Sequence, residues 1–272
     1  MTSLSDTLAH AELLEVLAPA MREAGALIEA IKARGIVHRD KADSSPVTEA
    51  DEAAEALLEA AIRRMEPGAV IVGEEAVAAG TIPDATARFW LIDPLDGTKD
   101  FVGGGADYSV NIGLIEDGEP TLGLVLHPPT GTLWTGSVGL GAWKEAPDQP
   151  RHPIRTRAKP HNSPRIVTSR SHLDEQTKAW AAACPGADTH PSGSSLKFCL
   201  LAEGAADAYP RFGPTSEWDT AAADAILRAA GGLTWGEDGA ALGYGKPRYL
   251  NGSFLALADP AARASYPAFG KG

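Results

Sequence analysis

The sequence predicts a mixed α and β fold, and three patterns support that class. Leucine, isoleucine and methionine recur at helical spacing over residues 5–33. An apolar run at residues 89–92, bounded by turn residues, is typical of a buried strand. Alternating runs over residues 108–143 are typical of an antiparallel meander. Periodicity by itself therefore supports an α+β or α/β class, with the meander in the first half of the chain.

Composition is that of a soluble globular protein. The 272 residues suffice for one large domain or two modest ones, and 44% are hydrophobic while 22% are charged. No apolar stretch approaches the roughly 20 residues that span a bilayer, and residues 1–11 lack the features of a secretory signal. Cys184 and Cys199 are expected to be inert buried residues. We therefore expect a cytoplasmic protein without stable membrane insertion; loose association with the inner face of the membrane stays open.

The excess of acidic residues limits the classes of partner that the protein is expected to bind. The net charge is −12, from 24 Lys and Arg against 36 Asp and Glu. Because affinity for nucleic acid polymers depends on basic groups that neutralise phosphates, such polymers are not expected partners. A small phosphorylated substrate remains compatible, provided that bound metal and a few local cations offset its charge.

The N-terminal elements follow from local signals. Gly35 is expected to end the first helix. After a polar loop at residues 41–47, Thr48 is a good N-cap for a second helix that reaches about Met65. Asp51, three residues later, either completes a capping box or points from the first helical turn toward a ligand. Both interpretations of Asp51 are open at this point.

Acidic residues follow two predicted strands. Residues 70–72 are expected to form a short strand that leads into Glu74 and Glu75, of which we favour Glu74 as the functional carboxylate. Asp93 and Asp96 follow the apolar run at 89–92 and are expected to lie where that strand stops. Carboxylate oxygens favour Mg²⁺ over zinc or copper.

The segment 93–98 has its own turn chemistry. Pro94 stiffens the bend, Gly97 lets backbone approach a ligand, and Thr98 adds a hydroxyl and can start a helical turn whose N–H groups suit a phosphate. An ordinary tight turn has the same composition, so the hexapeptide alone leaves that alternative open.

The meander is expected to consist of a hairpin at 108–115 and 121–126 and a third run at 132–143. Residues 146–163 are rich in Pro, Arg and His without periodicity and are the best candidate for a domain boundary. We therefore divide the chain at this segment into two parts, residues 1–150 and residues 151–272.

Basic and hydroxyl residues mark the second half. A strand is expected at 165–168 and a helix from about Ser169 to residue 183. Residues 193–203 are expected to open a further helix, where Lys197 either belongs to an anion site or is exposed beside a plain N-cap. Arg211 adds a cation near a turn. Asp219 precedes a helical run to Ala230 and either caps that helix or serves a site.

The order of these motifs resembles the inositol monophosphatase superfamily of Mg²⁺-dependent, lithium-sensitive phosphatases. The resemblance rests on an Asp at a helix start, Glu-Glu, Asp-Pro-Leu-Asp-Gly-Thr and Trp-Asp-Thr-Ala, and it covers about residues 41–251. It implies a layered α/β/α/β/α sandwich with an N-terminal α+β half, residues 1–150, and a C-terminal α/β half, residues 151–272. It also implies a metal site at the seam of the two halves, with two or three Mg²⁺ ions. A monomer or a homodimer is compatible with it.

The resemblance also implies roles for individual residues. Asp51 and Thr98 would orient and help to deprotonate the attacking water. The metal ligands would be Glu74, Asp93, Asp96, Asp219 and the backbone carbonyl of Leu95. Substrate contacts would come from Glu74, Leu95, Asp96, Gly97, Thr98 and Asp219 around the scissile phosphate, and from His172, Ser194, Lys197 and Arg211 at the nucleotide's other end.

Within the superfamily, four segments resemble the bacterial 3′(2′),5′-bisphosphate nucleotidases of CysQ type: residues 41–48, 169–172, 193–199 and 209–215. That resemblance implies removal of the 3′-phosphate from adenosine 3′,5′-bisphosphate in sulfur metabolism, and action on the 5′-phosphosulfate form of the nucleotide as well. Residues 73–80 instead look like the inositol monophosphatase form, so an inositol or sugar monophosphatase is the alternative. Gly103–Gly105, Asp100 and Ala223 also depart from the usual pattern. A catalytically silent binding protein of the same fold is the alternative from another class.

Overall fold

The computed structural model describes residues 4–40, 46–160, 163–170 and 173–270. Within those ranges, no helix is both long and apolar enough to cross a membrane.

Two long helices form the first layer. α1 (Leu4–Arg34) ends before Gly35, whose φ is 103°, as the sequence predicts. The strands β1 (His38–Asp40) and β2 (Pro46–Thr48) pair and lead into α2 (Glu49–Met65). Thr48 and Asp51 form the predicted capping box at the start of α2.

The second layer is a seven-stranded sheet with the strands in chain order. The first two are parallel and the others pair antiparallel. The elements of this region are β3 (Ile71–Gly73), α3 (Glu74–Ala78), β4 (Arg88–Asp96), α4 (Thr98–Val102), β5 (Ser109–Glu116), β6 (Glu119–His127), β7 (Thr132–Ser137), β8 (Gly141–Ala146) and β9 (Gln149–Ile154). A short 3-10 helix, Pro128–Thr130, joins β6 to β7.

Three boundaries in this sheet differ from the prediction. β4 does not stop at Asp93 but continues to Asp96 through a register shift against β5. The third run is two strands, β7 and β8, separated by a turn in which Gly139 has a φ of 93°. The segment interpreted as a linker holds β9, which contains Pro150 and Pro153; a strand at the edge of a sheet tolerates proline because one side of it makes no ladder bonds.

The second half adds a five-stranded sheet of order β11-β10-β12-β16-β14 and a small two-stranded sheet. Its elements are β10 (Arg165–Ser169), α5 (Glu175–Ala182), β11 (Asp188–Ser192), α6 (Leu196–Ala202), β12 (Ala208–Arg211), β13 (Thr215–Ser216), α7 (Ala221–Ala230), β14 (Leu233–Gly236), β15 (Leu250–Asn251) and β16 (Phe254–Leu257). Two further 3-10 helices are Pro247–Tyr249 and Pro260–Ser265. The helix expected from Ser169 begins only at Glu175, because Asp174 caps it by accepting from the Thr177 N–H at 2.7 Å.

Three apolar clusters separate the layers. One lies between α1, α2 and the first sheet, and includes Leu17, Trp90 and Leu124. The next lies between the other face of that sheet, α6, α7 and the second sheet; a third covers the outer face of the second sheet. The architecture is thus the expected layered α/β/α/β/α sandwich, and Cys184 and Cys199 are buried and free. Whether residues 1–150 and 151–272 are separate units stays a prediction.

Three glycines in neighbouring strands of the first sheet allow α7 to pack closely against that sheet. Gly113, Gly123 and Gly136 pair with one another across β5, β6 and β7. A Cβ at Gly113 would lie 2.8 Å from the Ala222 nitrogen, and one at Gly136 would lie 2.8 Å from Ile226 Cα. At Gly123 it would overlap the Ala222 carbonyl oxygen. The bare backbone of three strands therefore lets α7 pack directly on the first sheet.

Candidate active site

A cavity of about 750 Å³ opens where the two halves meet. The first half contributes Glu74 at the start of α3, Asp93 and Asp96 on β4, and Thr98 at the start of α4, while the second contributes Asp219 before α7. Leu95 and Gly97 line it as well. The carboxylates that the sequence separates by up to 145 positions therefore face one space.

Asp51 is connected to the cavity by a hydrogen bond with Thr98, which lines it. Its Oδ2 accepts from the Thr48 N–H at 2.8 Å and from the Thr48 hydroxyl at 2.6 Å, while the Thr98 hydroxyl lies 3.0 Å from Oδ1 and 2.9 Å from the Leu95 carbonyl oxygen. The capping-box interpretation of Asp51 is therefore confirmed, and its other carboxylate oxygen contacts Thr98. A role of Asp51 toward a ligand stays a prediction.

The carboxylates repel one another in this cavity. Burial is the main cause that raises the pKa of Asp93 well above its usual range, and the nearby charges of Glu74, Asp96 and Asp219 act in the same direction. The pKa of Asp219 is raised by burial and then by Asp96 and Glu74. A divalent cation would relieve this repulsion, and an all-oxygen donor set suits Mg²⁺. The residues thus fit the ion by their chemistry, although the described residues show no preformed group of three metal-binding side chains.

Glu74 and not Glu75 is the glutamate that lines the cavity, as the sequence interpretation favours. Asp219 does not cap α7; its Oδ2 accepts from the Ser216 N–H at 2.9 Å, which directs the carboxylate away from the helix. The roles of these residues as metal ligands stay predictions.

Two serines of the second half contact the Asp96 carboxylate of the first half. The Ser194 hydroxyl lies 2.9 Å from Asp96 Oδ2. The buried Ser195 hydroxyl lies 3.1 Å from the same oxygen and 2.7 Å from the Asp219 carbonyl oxygen. Sequence analysis includes Ser194 and misses Ser195, because the local pattern predicts only a helix start. The side chain of Ser195 caps no helix amide and instead donates to groups of the candidate site.

Gly97 has a left-handed backbone, with φ 97°, where it turns β4 into α4. A Cβ there would lie 2.7 Å from the Asp107 carbonyl oxygen, so the position requires glycine for space as well as for φ. This turn presents the backbone of residues 95–98 to the cavity.

The other side of the cavity carries cations. Lys197 is not exposed: only 5% of it is accessible, and its ammonium donates to the Ser194 carbonyl and lies 5.2 Å from the centre of the Tyr209 ring. Arg211 is held by the carbonyl oxygens of Gly213 and Pro214, each at 3.2 Å. Lys197, Tyr209 and Arg211 all line the cavity.

Asp107 is a rim residue that sequence analysis misses. Its Oδ2 accepts from the Gly193 N–H at 2.7 Å and pairs with Arg170 at 3.1 Å, while its own N–H donates to Asp100 at 2.7 Å. It therefore ties the loop after α4 to the loop before α6. His172, a predicted substrate contact, lies outside the described residues.

Comparison with known proteins identifies relatives over almost the whole chain. The profile of the Inositol monophosphatase family matches residues 9–266. The 3′(2′),5′-bisphosphate nucleotidase CysQ of Salmonella typhimurium is 41% identical over 247 residues, which cover 89% of this chain and 98% of that protein.

Solved structures agree with this similarity. CysQ from Bacteroides thetaiotaomicron, described as a bacterial member of the inositol monophosphatase family, superposes with a TM-score of 0.75 at 32% identity over 91% of this chain and 97% of that one. An inositol monophosphatase from Zymomonas mobilis gives a TM-score of 0.74 at 28% identity over 93% and 95% of the two chains. Backbone similarity is therefore nearly equal for this CysQ protein and for this inositol monophosphatase.

Proposed function

The chain belongs to the inositol monophosphatase family, whose members are metal-dependent phosphatases, and we propose that it is a Mg²⁺-dependent 3′(2′),5′-bisphosphate nucleotidase. It would hydrolyse the 3′-phosphate of adenosine 3′,5′-bisphosphate to give AMP and phosphate, and would accept 3′-phosphoadenylyl sulfate as well. The observation that carries the proposal is the buried Lys197, which lines the same cavity as the four carboxylates. A substrate with a second anionic group explains a buried cation there, whereas inositol phosphate has no such group. The similarity to CysQ proteins supports the same choice.

The chain's own residues provide binding and proton transfer. Glu74, Asp93, Asp96, Asp219 and the Leu95 carbonyl would hold Mg²⁺, which neutralises the phosphate and lowers the pKa of water when bound. The Thr98 hydroxyl donates to Asp51 Oδ1 or to the Leu95 carbonyl, so its lone pairs can accept a proton from the attacking water. Asp51 would then receive the Thr98 proton while the water oxygen bonds to phosphorus and the bond to the 3′-oxygen breaks. The bonding electron pair leaves with the 3′-oxygen, which takes a proton from solvent to give the 3′-hydroxyl of AMP.

On the family resemblance, we propose further that the protein binds two or three Mg²⁺ ions, that it is a monomer or a homodimer, and that it is cytoplasmic. An inositol or sugar monophosphatase is the second candidate, favoured by residues 73–80 and by the similarity to the Zymomonas enzyme. A silent binding protein is disfavoured because every acidic residue of the family pattern is present.

The direct experiment measures phosphate release from adenosine 3′,5′-bisphosphate and from inositol 1-phosphate, side by side, with Mg²⁺ and then with EDTA. We expect a large preference for the nucleotide that EDTA abolishes. A preference for inositol phosphate would replace the substrate assignment and keep the metal chemistry. Release from neither substrate would favour the silent binding protein.

Lys197→Ala is expected to raise the KM for the bisphosphate about 10- to 100-fold, since a hydrogen bond to a charged group contributes about 1.5–3 kcal/mol. Turnover of inositol phosphate should barely change. Lys197→Met keeps the side-chain length and should show the same loss if the charge is what matters. Lys178→Ala, at an exposed lysine of α5 paired with Glu175, is the control. A KM within twofold of wild type would contradict the role of Lys197.

Substrate affinity should also depend on pH through Lys197. Burial lowers the pKa of this lysine to about 8; the charges of Asp96, Asp219 and Asp107 oppose that shift, while Arg211 adds to it. Below pH 8 the ammonium is charged and can bind an anionic group; above pH 8 this charge is lost. We expect kcat/KM for the bisphosphate to fall between pH 7.5 and 9.5 more steeply than kcat/KM for inositol phosphate. Lys197→Arg, which stays charged, should remove that difference; an identical decline for both substrates would contradict the prediction.

A further inference from the structure

α3 is a short helix with little stability of its own, yet it carries Glu74, one of the carboxylates that line the cavity. It has five residues, all of them described and none of them buried, and its N-cap is Gly73, which has no side chain to bond the first amides. A helix this short is not stable on its own in water. The direction in which Glu74 points must therefore depend on groups outside α3.

Glu55 on α2 supplies two such contacts. Its Oε2 accepts from the Glu75 N–H at 2.9 Å and its Oε1 from the Ala76 N–H at 2.8 Å. These are the second and third amides of α3, the ones that an N-cap side chain normally satisfies. Glu55 is 6% exposed, so both bonds are shielded from water.

Gly73 provides the space for this contact. A Cβ at Gly73 would lie 2.5 Å from Glu55 Cδ, and both carboxylate oxygens would be within 2.7 Å of it. The glycine before Glu74 is thus needed for the carboxylate of Glu55 to reach the α3 amides.

Glu55 follows Asp51 by one turn of the same helix. α2 therefore contacts two elements that carry cavity-lining residues, α4 through the bond of Asp51 with Thr98 and α3 through the bonds of Glu55 with its amides. We propose that Glu55 is a positioning residue that fixes the direction of Glu74 toward bound Mg²⁺. α2 would then position one metal ligand, Glu74, together with the pair of Asp51 and Thr98 that would orient the attacking water. The inference rests on the proposed function, since that function assigns Glu74 to the metal.

The test measures Mg²⁺ binding without substrate, by calorimetry and by the rise in unfolding temperature that Mg²⁺ produces. Glu55→Gln keeps the shape but can accept only one of the two amide bonds. We expect it to weaken Mg²⁺ binding about 10-fold or more, as is typical when a group that orients a metal ligand is lost. Glu59→Gln removes the same charge one turn further along α2, where Glu59 pairs with Arg63, and should leave Mg²⁺ affinity within about twofold of wild type.

Gly73→Ala is the second variant, because it displaces Glu55 while every carboxylate stays in the chain. It keeps the proposal testable if Glu55→Gln does not fold, and it should weaken Mg²⁺ binding to a similar extent. Equal affinities in wild type, Glu55→Gln and Gly73→Ala would overturn the proposal. A lower unfolding temperature in EDTA with unchanged Mg²⁺ affinity would overturn it too, because that result is what a purely structural contact gives. Mg²⁺ binding by wild type without nucleotide hydrolysis would contradict the proposed function alone.

Discussion

Asp96→Asn is expected to lower Mg²⁺-dependent phosphate release by at least about 10³-fold, because it removes a charge from the cavity in which we propose that the metal binds. Asparagine has nearly the same shape and retains an acceptor for the Ser194 and Ser195 hydroxyls. The loss should therefore reflect weaker cation binding and not a disturbed fold. Phosphate release at saturating nucleotide, over a series of Mg²⁺ concentrations, measures it.

Glu75→Gln is the matched control for this variant. Glu75 is adjacent to Glu74 on α3, yet it is not among the cavity-lining residues. Its replacement should change phosphate release by less than about threefold. If Asp96→Asn retains the wild-type rate, the metal assignment of Asp96 is wrong.

Gly123→Ala is expected to reduce the free energy of unfolding by about 3 kcal/mol, near the upper range for overpacking of a core. The added methyl group would meet the backbone of Ala222, which cannot rotate away as a side chain could. Because α7 begins two residues after Asp219, displacement of the helix should also move that carboxylate and weaken Mg²⁺ binding. Urea unfolding and Mg²⁺ titration of the same samples measure the two effects.

Gly68→Ala separates this effect from the general consequence of replacing glycine. A Cβ at Gly68 would meet nothing within 4 Å, so this variant should be neutral or slightly more stable than wild type. If Gly123→Ala were as stable as Gly68→Ala, the close packing of α7 on the sheet would not be needed for stability.

Local signals in the sequence identify most of the helices and strands. Thr48 and Asp51 predict the start of α2, and the apolar run at 89–92 predicts the centre of β4. The prediction fails where tertiary contacts outweigh local preference. β9 forms in a segment rich in proline because it needs to pair on one side only, and α5 begins late because Asp174 is the residue that caps it.

The same distinction between local signals and tertiary contacts applies to the candidate site. The motif order leads to Glu74, Asp93, Asp96 and Asp219, and all four line one cavity. Glu55, Asp107 and Ser195 could not be found in that way, because each acts through contacts with residues far away in the chain. Glu55, for example, lies 20 and 21 positions from the amides that it binds, and no local pattern predicts such a contact.

The position of α7 also has a consequence for how the protein is made. As the chain leaves the ribosome, α1 and α2 precede the first sheet and can cover one of its faces as soon as the strands pair. The opposite face, with Val125 and Trp134, has to wait for elements of the second half, among them α6 and α7. Until then the nascent chain exposes an apolar surface, the kind of surface that chaperones bind and that promotes aggregation. Synthesis of α7 contributes to covering this face and brings Asp219 to the cavity, so the step that completes the candidate site also reduces the exposed apolar surface.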